Sequence, residues 1–306
     1  MHLTKLINDY LSKNLSNMLK QSEYKNLTDA EEIRIRIGQP MYIRCGIKEL
    51  YIGGNNAENA YRPTMEDIQI TINKMSDYSV YAFNEEIKKG YITLSGGYRV
   101  GICGSVVYDN NRIITIKDIS SLNIRISREV KGCADKAVNG IYDKGRFLST
   151  LIISPPACGK TTLLRDMIRQ LSDKGFCIGL VDERSEIAGA YMGQAQNDVG
   201  SHTDVLDGCK KDIGMYMLLR SMGPEIIAVD EIGSDSEIAC IKQVVNSGVG
   251  LLCTVHAYDK AELMQKPGFK EIVSQRLFKR YIVLSSYPHV GTIDSILDEE
   301  MKEICF

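Results

Sequence analysis

Residues 154–162 read Ser-Pro-Pro-Ala-Cys-Gly-Lys-Thr-Thr. This is the spacing of a phosphate-binding loop, GxxxxGK[ST], with Ser154 standing at the first glycine. Each residue type suits a task. Backbone N–H groups around Gly159 can wrap the α/β-phosphates, and a helix starting here adds positive potential. Lys160 can reach the β/γ-phosphates, and Thr161 can offer its hydroxyl to Mg²⁺. Ser154, Pro155, Pro156, Ala157, Cys158, Gly159, Lys160, Thr161 and Thr162 therefore form the candidate nucleotide cradle. An ordinary Gly-Lys-Thr turn would not need an apolar run before it and Leu163, Leu164, Met167, Ile168 and Leu171 at helical spacing after it.

Hydrolysis also needs acids. The run Ile226-Ile227-Ala228-Val229 ends in Asp230-Glu231, so a buried strand would deliver two carboxylates at its C-terminal edge, where open α/β sheets bind ligands. Strand alternation sends the two in different directions. Asp230 is the expected partner of a hydrated Mg²⁺, and Glu231 the expected general base. Acids also end strands simply because a loop begins there; the phosphate loop tips the reading toward chemistry. Asp182-Glu183-Arg184-Ser185-Glu186 closes one neighbouring run and Thr254-Val255-His256 another. Glu183, Glu186 and His256 are thus candidates to meet the same γ-phosphate, with His256 sensing it by a hydrogen bond. A lone histidine is more often structural, but this one sits just past a buried strand at the ligand edge. Cys158 and Cys253 read as small buried fillers.

The elements that must hold these groups follow from patterning. FLSTLIIS (147–154), FCIGLVD (176–182), EIIAVD (225–230) and GLLCTVH (250–256) are almost wholly apolar and alternate with helix-length segments. That predicts a largely parallel sheet buried on both faces, in an α/β nucleotide-binding domain over 146–306. Residues 1–130 read differently, as an α+β domain. EEIRIRI (31–37) and MYIRCG (41–46) flank Gly38-Gln39-Pro40 as a half-exposed hairpin. Thr64 with Asp67 opens a helix from 65 to about 76. Strands are expected at 90–95, 98–107 and 123–127. Gly132, Gly140 and Gly145 mark 131–145 as a linker. Near the start, Leu6, Ile7, Tyr10, Leu11 and Leu15 give one amphipathic helix, read first as packing on its own domain and second as a docking surface together with the strand pair at 31–46.

In this order the four motifs resemble those of the type II/type IV secretion ATPases, the superfamily of the pilus motors. Ser154 to Thr162 is similar to their Walker A box, and Val181 to Ile187 to their acidic box. Leu219 to Ile232 is similar to their Walker B stretch, and Thr254 to Ala257 to their His box. The front half joins in through Glu31–Arg34, Gly38-Gln39-Pro40, Ile43–Gly46, Gly97–Val100 and Ile124–Ile126. Within the superfamily, SPPACGKTTLLRD, VDERSEIAG and GYITLSGGYRVGICG look like a sporulation branch. Two positions depart: Asp230 replaces a common glycine, and Ala157 stands where that branch is expected to carry glycine. The resemblance implies a RecA-like P-loop domain behind a PAS-like N-terminal domain that makes partner and inter-subunit contacts. It also implies ATP and Mg²⁺ as cofactors, and a homo-hexamer with ATP between subunits. Arg99 and Arg125 are then the candidates to reach a neighbour's nucleotide, with Arg184 and Arg220 as local alternatives. The partners implied are membrane-embedded components of a transport complex between mother cell and forespore, with the chain itself in the mother-cell cytoplasm and recruited peripherally.

Bulk properties restrict the field. With 306 residues, 37 Lys+Arg against 39 Asp+Glu, and 44% hydrophobic residues, the chain is neither disordered nor a membrane bundle. The net charge of −2 and the lack of a clustered basic-aromatic strand argue against nucleic acid as partner. Nine cysteines without a CxxC pair suggest a reducing compartment. No apolar run approaches the ~18 residues of a membrane span, and Cys305-Phe306 is no lipidation signal. Two other functions stay open at this level: a RecA-like ATPase acting on single-stranded nucleic acid, and a nucleotide-dependent scaffold that hydrolyses poorly.

Overall fold

The computed structural model describes residues 2–21, 30–77, 83–126, 129–143 and 145–304. Contacts divide the chain into two units, Met1–Arg128 and Glu129–Phe306.

The first unit runs α1 (His2–Asp9), α2 (Lys13–Gln21), β1 (Glu32–Arg36), β2 (Tyr42–Cys45), β3 (Lys48–Tyr51), α3 (Met65–Met75), α4 (Asn84–Lys88), β4 (Tyr91–Leu94), β5 (Tyr98–Asp109) and β6 (Arg112–Arg125). Its six strands form one sheet in the order β3-β2-β1-β6-β5-β4, antiparallel throughout. Alternation buries Ile33, Ile35, Ile43, Val100 and Ile124 on one face and leaves Arg34, Arg36, Arg44, Arg99 and Arg125 for the other. The expected capping box is present: Thr64 Oγ1 accepts the Asp67 N–H at 3.2 Å, and Asp67 Oδ2 accepts the Thr64 N–H at 3.0 Å.

Two expectations need correction here. The single N-terminal helix is two helices, because the Ser12 hydroxyl accepts the Leu15 N–H at 3.2 Å and starts a new one. Leu6, Leu11, Leu15 and Leu19 are at most 1% exposed, so the apolar side is used in the unit's own core and offers no docking face. The expected strand at 123–127 is the tail of the much longer β6. Ser127 lies outside the described residues, as do Cys305 and Phe306.

The second unit runs α5 (Asp135–Gly140), β7 (Tyr142–Asp143), β8 (Arg146–Phe147), β9 (Thr150–Ser154), α6 (Lys160–Asp173), β10 (Ile178–Asp182), β11 (Thr203–Asp207), α7 (Lys211–Ser221), β12 (Ile226–Glu231), α8 (Asp235–Asn246), β13 (Gly250–His256), α9 (Lys260–Leu263), α10 (Phe269–Ser274), β14 (Arg280–Ser285) and β15 (Thr292–Leu297). Seven strands order as β11-β10-β12-β13-β9-β14-β15. All pairs are parallel except β14 with β15. One face packs Ile152, Leu180, Ala228 and Leu252 with α6 residues Leu164 and Met167. The other packs Val181, Val229 and Cys253 with Ile241 and Val244 of α8. Each such side chain contributes about 1.5–3 kcal/mol by leaving water.

The expected linker at 131–145 belongs to this unit. Ala134, Ala137, Val138 and Ile141, at helical spacing, are at most 1% exposed, and Ala134 N–H donates to Asp166 on α6 at 2.9 Å. Glycines at both ends are turns around a packed helix, and the boundary falls just before Glu129.

Candidate active site

Parallel pairing brings the ends of β9, β13, β12 and β10 side by side, with His256 opposite Ser154 and Glu231 opposite Thr254. The phosphate loop leaves β9 and closes at Gly159, whose φ is +83°. A Cβ there would meet the Gly291 backbone at 3.3 Å, so glycine is required by both conformation and space. Ala157 adopts φ +58° within the same loop, the left-handed region that glycine fills without strain. Beside the loop opens a cavity of about 500 Å³ bordered by Pro155, Pro156, Cys158, Tyr258, Asp259 and Asp294.

Lys160, the first residue of α6, does not extend into solvent. Its Nζ lies 3.2 Å from Glu231 Oε2 and 2.5 Å from His256 Nε2, while Glu231 Oε2 lies 2.8 Å from that same ring nitrogen. Three groups read separately from the sequence thus meet at one point. They are half-buried, Lys160 at 13%, His256 at 32% and Glu231 at 37% side-chain exposure, enough to strengthen their interaction while admitting a ligand.

Asp230 sits at a β-bulge, where pairing shifts between Val229 and Glu231. Its Oδ1 is buried without a hydrogen-bond partner, as is Thr254 Oγ1. Burial, then the nearby Glu186 charge, push the Asp230 carboxyl above the ordinary range, against the pull of Lys211 and Lys160. These orphaned oxygens and the Thr161 hydroxyl fit a hydrated Mg²⁺. Among the described residues no cluster of three or more His, Cys, Asp or Glu is placed to hold a metal ion.

The acidic stretch divides. Asp182 is fully buried and accepts the N–H groups of Glu186, Ile187 and Ala188 at 2.9, 3.0 and 2.8 Å. It shapes the loop, with its carboxyl pushed up by burial. Glu183 and Glu186 stay half-exposed. Arg165 of α6 donates to the Ile187 and Glu186 carbonyls, both at 2.6 Å, tying this loop to the helix that carries Lys160. Arg184 and Arg220 are exposed on this unit. Arg99 and Arg125 belong to the other unit, directly opposite each other on β5 and β6. The sequence reading missed Lys211. Its Nζ donates to the Glu231 carbonyl at 2.5 Å and faces Glu183 at 3.4 Å and Glu237 at 3.5 Å.

The family model for sporulation stage III, protein AA matches residues 1–304. The chain belongs to that family. Stage III sporulation protein AA of Bacillus subtilis (strain 168) is 38% identical over 300 residues, covering 96% of this chain and 95% of the relative. Among solved structures, the Legionella pneumophila ATPase DotB superposes with a TM-score of 0.58 at 16% identity, over 90% of this chain and 77% of DotB. The pilus retraction motor PilT with bound ADP gives 0.57 at 14% identity, over 87% and 77%. These likenesses establish the fold of this family member as RecA-like, with a smaller N-terminal unit.

Proposed function

We propose that this family member hydrolyses ATP with Mg²⁺ and drives a secretion-like transport complex of sporulation, acting in the mother cell on the channel to the forespore. The observation that carries the reading is the meeting of Lys160, Glu231 and His256 at the strand edge beside the phosphate loop. In this reading an entering triphosphate draws Lys160 to its β/γ-oxygens, which leaves Glu231 free to orient a water and take its proton. His256 donates to the γ-phosphate. Thr161, and through water Asp230, would hold Mg²⁺, which when bound would supply neutralisation of the charge that develops on the phosphates.

Further cations come from a neighbouring copy in a hexamer. Arg99 and Arg125 stand opposite each other on β5 and β6, with Glu32 on the other side of Arg125, and are the two we assign to reach a neighbour's nucleotide. Among the described residues no helix is long and apolar enough to cross a membrane. In this reading recruitment runs through membrane-embedded partners.

One observation favours the alternative of a single-stranded nucleic acid ATPase. The sheet of the first unit does assemble a basic-aromatic face, with Arg36 and Arg44 over Tyr42 at 5.6 and 5.9 Å and Arg99 over Tyr91 at 4.0 Å. Against it, Tyr42 is only 7% exposed, and Glu32 pairs with Arg34 and Arg44 at 3.0 and 3.1 Å, leaving little free for bases to stack on.

Lys160→Ala should abolish ATP binding, whereas Glu231→Gln should bind ATP and lose turnover by at least about a thousandfold. Fluorescent-ATP titration and phosphate release read the two separately, and equal loss of affinity in both variants overturns the roles. Strong, salt-sensitive stimulation by single-stranded DNA would promote the alternative.

A further inference from the structure

Helix α7 begins at Lys211, directly after Lys210 and before Asp212, the acid of its first turn. The N-terminus of a helix already carries partial positive charge, so a cation there is unfavourable. The preceding Lys210 makes no side-chain cap. A sequence that breaks a local rule in this way is compensated elsewhere, and the compensation here lies across the site.

Lys211 is 11% exposed and is held by groups from three other segments. Glu183 follows β10, the Glu231 carbonyl ends β12, and Glu237 lies in the first turn of α8. Glu237 is itself fixed: its Oε2 accepts the Gly233 and Ser234 N–H groups, both at 2.8 Å. The bulge at Asp230 interrupts the ladder just before Glu231, and the peptide that follows is held on its N–H side by the Ile232 N–H donating to the Thr254 carbonyl at 2.9 Å, which leaves its carbonyl side to Lys211. The Lys211 ammonium grips the carbonyl at that point, and the orientation of that peptide sets where the Glu231 carboxylate starts from.

We infer that Lys211 is a positioning residue for Glu231, acting through the main-chain carbonyl beyond the bulge and braced by Glu183 and Glu237. The inference rests on the reading of Glu231 as the general base. Among the described residues the side-chain partners of Lys211 are Glu183, Glu237 and the Glu231 carbonyl, none of them in the phosphate cradle, and its charge also acts on Asp230, so it governs turnover and leaves nucleotide affinity to Lys160 and the loop. A displacement of about 1 Å at a reacting group costs on the order of a hundredfold in rate.

The test is steady-state phosphate release and fluorescent-ATP affinity for full-length Lys211→Met, Lys211→Arg, Glu237→Gln and Glu231→Gln. Lys211→Met should lower kcat by about thirtyfold to a hundredfold, with Kd within about threefold of wild type. Lys211→Arg should recover most of the loss, and Glu237→Gln should lower kcat by about threefold to tenfold. Added to Glu231→Gln, Lys211→Met should cause no further loss in single-turnover rate, because it acts through the same carboxylate. The inference is overturned by a near-wild-type kcat in Lys211→Met beside an inactive Glu231→Gln, by a parallel collapse of affinity, or by additive losses in the double variant. Should Lys211→Met not fold, undiminished turnover in Glu237→Gln, or an inactive Lys211→Arg that still binds ATP, overturns it. Wild-type turnover in Glu231→Gln instead defeats the assignment of the base itself.

Discussion

Two buried aspartates, one in each unit, have opposite surroundings. Asp67 is 1% exposed and its carboxylate accepts from Ser12 Oγ at 2.8 Å, Tyr61 OH at 2.7 Å, and the Thr64 N–H and hydroxyl at 3.0 Å. Burial alone would raise its pKa, but these donors more than offset it and hold the carboxyl below the ordinary range. Burial and the Asp67 charge push the Tyr61 hydroxyl up to about 12, keeping it a donor. Asp230 is 8% exposed, has an oxygen with no partner, and is pushed up. A charge that the fold completes serves the fold; a charge left incomplete is a place where a ligand completes it.

Removing the completed charge should have the larger effect. Asp67→Ala strands four donors, removes the return bond of the capping box on α3 while leaving the Thr64 cap, and should cost about 3 kcal/mol. Because the folded carboxyl titrates below the unfolded one, its contribution is present above about pH 4 and is lost as pH falls through the folded value. Hydrogen exchange on α3 peptides should therefore show reduced protection in the variant at neutral pH, and in wild type on acidification. Unchanged protection in Asp67→Ala would mean the four bonds only replace water, and the contrast with Asp230 would lose one side.

The incomplete charge predicts the reverse sign. Asp230→Asn should stabilise the nucleotide-free chain by about 1–2 kcal/mol while lowering Mg²⁺-dependent turnover by at least about tenfold. The pH dependence is also reversed: with its folded pKa raised, Asp230 costs stability above that value, and the cost disappears as pH falls toward the ordinary carboxylate range. The advantage of Asn should shrink accordingly on acidification, as read by denaturant melts of both proteins. A destabilised Asp230→Asn would show that the fold itself holds the carboxylate.

The same contrast explains what the sequence made legible. The strand–turn–helix around 154–162, the strand ending at Asp230-Glu231 and the Thr64–Asp67 cap are local patterns, carried within a few residues, and these elements lie where expected. The misreadings involve distant partners. Ser12 breaks the N-terminal helix, with a hydroxyl that binds Asp67, 55 positions away. The glycines of 131–145 suggested a linker because the partner of α5 is α6, with Asp166 lying 32 positions from Ala134. Arg34, Arg36, Arg44, Arg99 and Arg125 become one face only through strand pairing. Lys211 acts 20 positions from its main partner, yet its place at a helix start was a visible anomaly.

The smallest effect concerns backbone strain. In the first unit the non-glycine residues with left-handed φ are Asp77, Asn110, Asn111 and Asp118 among those described, types whose short polar side chains tolerate that region. In the second they are Ala157, Ser185, Met192, Arg276 and Met301, at φ +58°, +53°, +48°, +53° and +62°, again among those described. Alanine has no such compensation and pays about 1–2 kcal/mol there. Ala157 is also exposed, so removing its methyl group sacrifices no packing. Ala157→Gly relieves the strain but gives the unfolded chain about 0.5–1 kcal/mol more entropy to lose. The expected net is a gain of about 0.5–1 kcal/mol in denaturant melts, with ATP affinity weakened about twofold because a looser loop is ordered on binding. A destabilised Ala157→Gly would mean that this turn is not strained, and that Ala157 belongs with the compensated residues of the first unit.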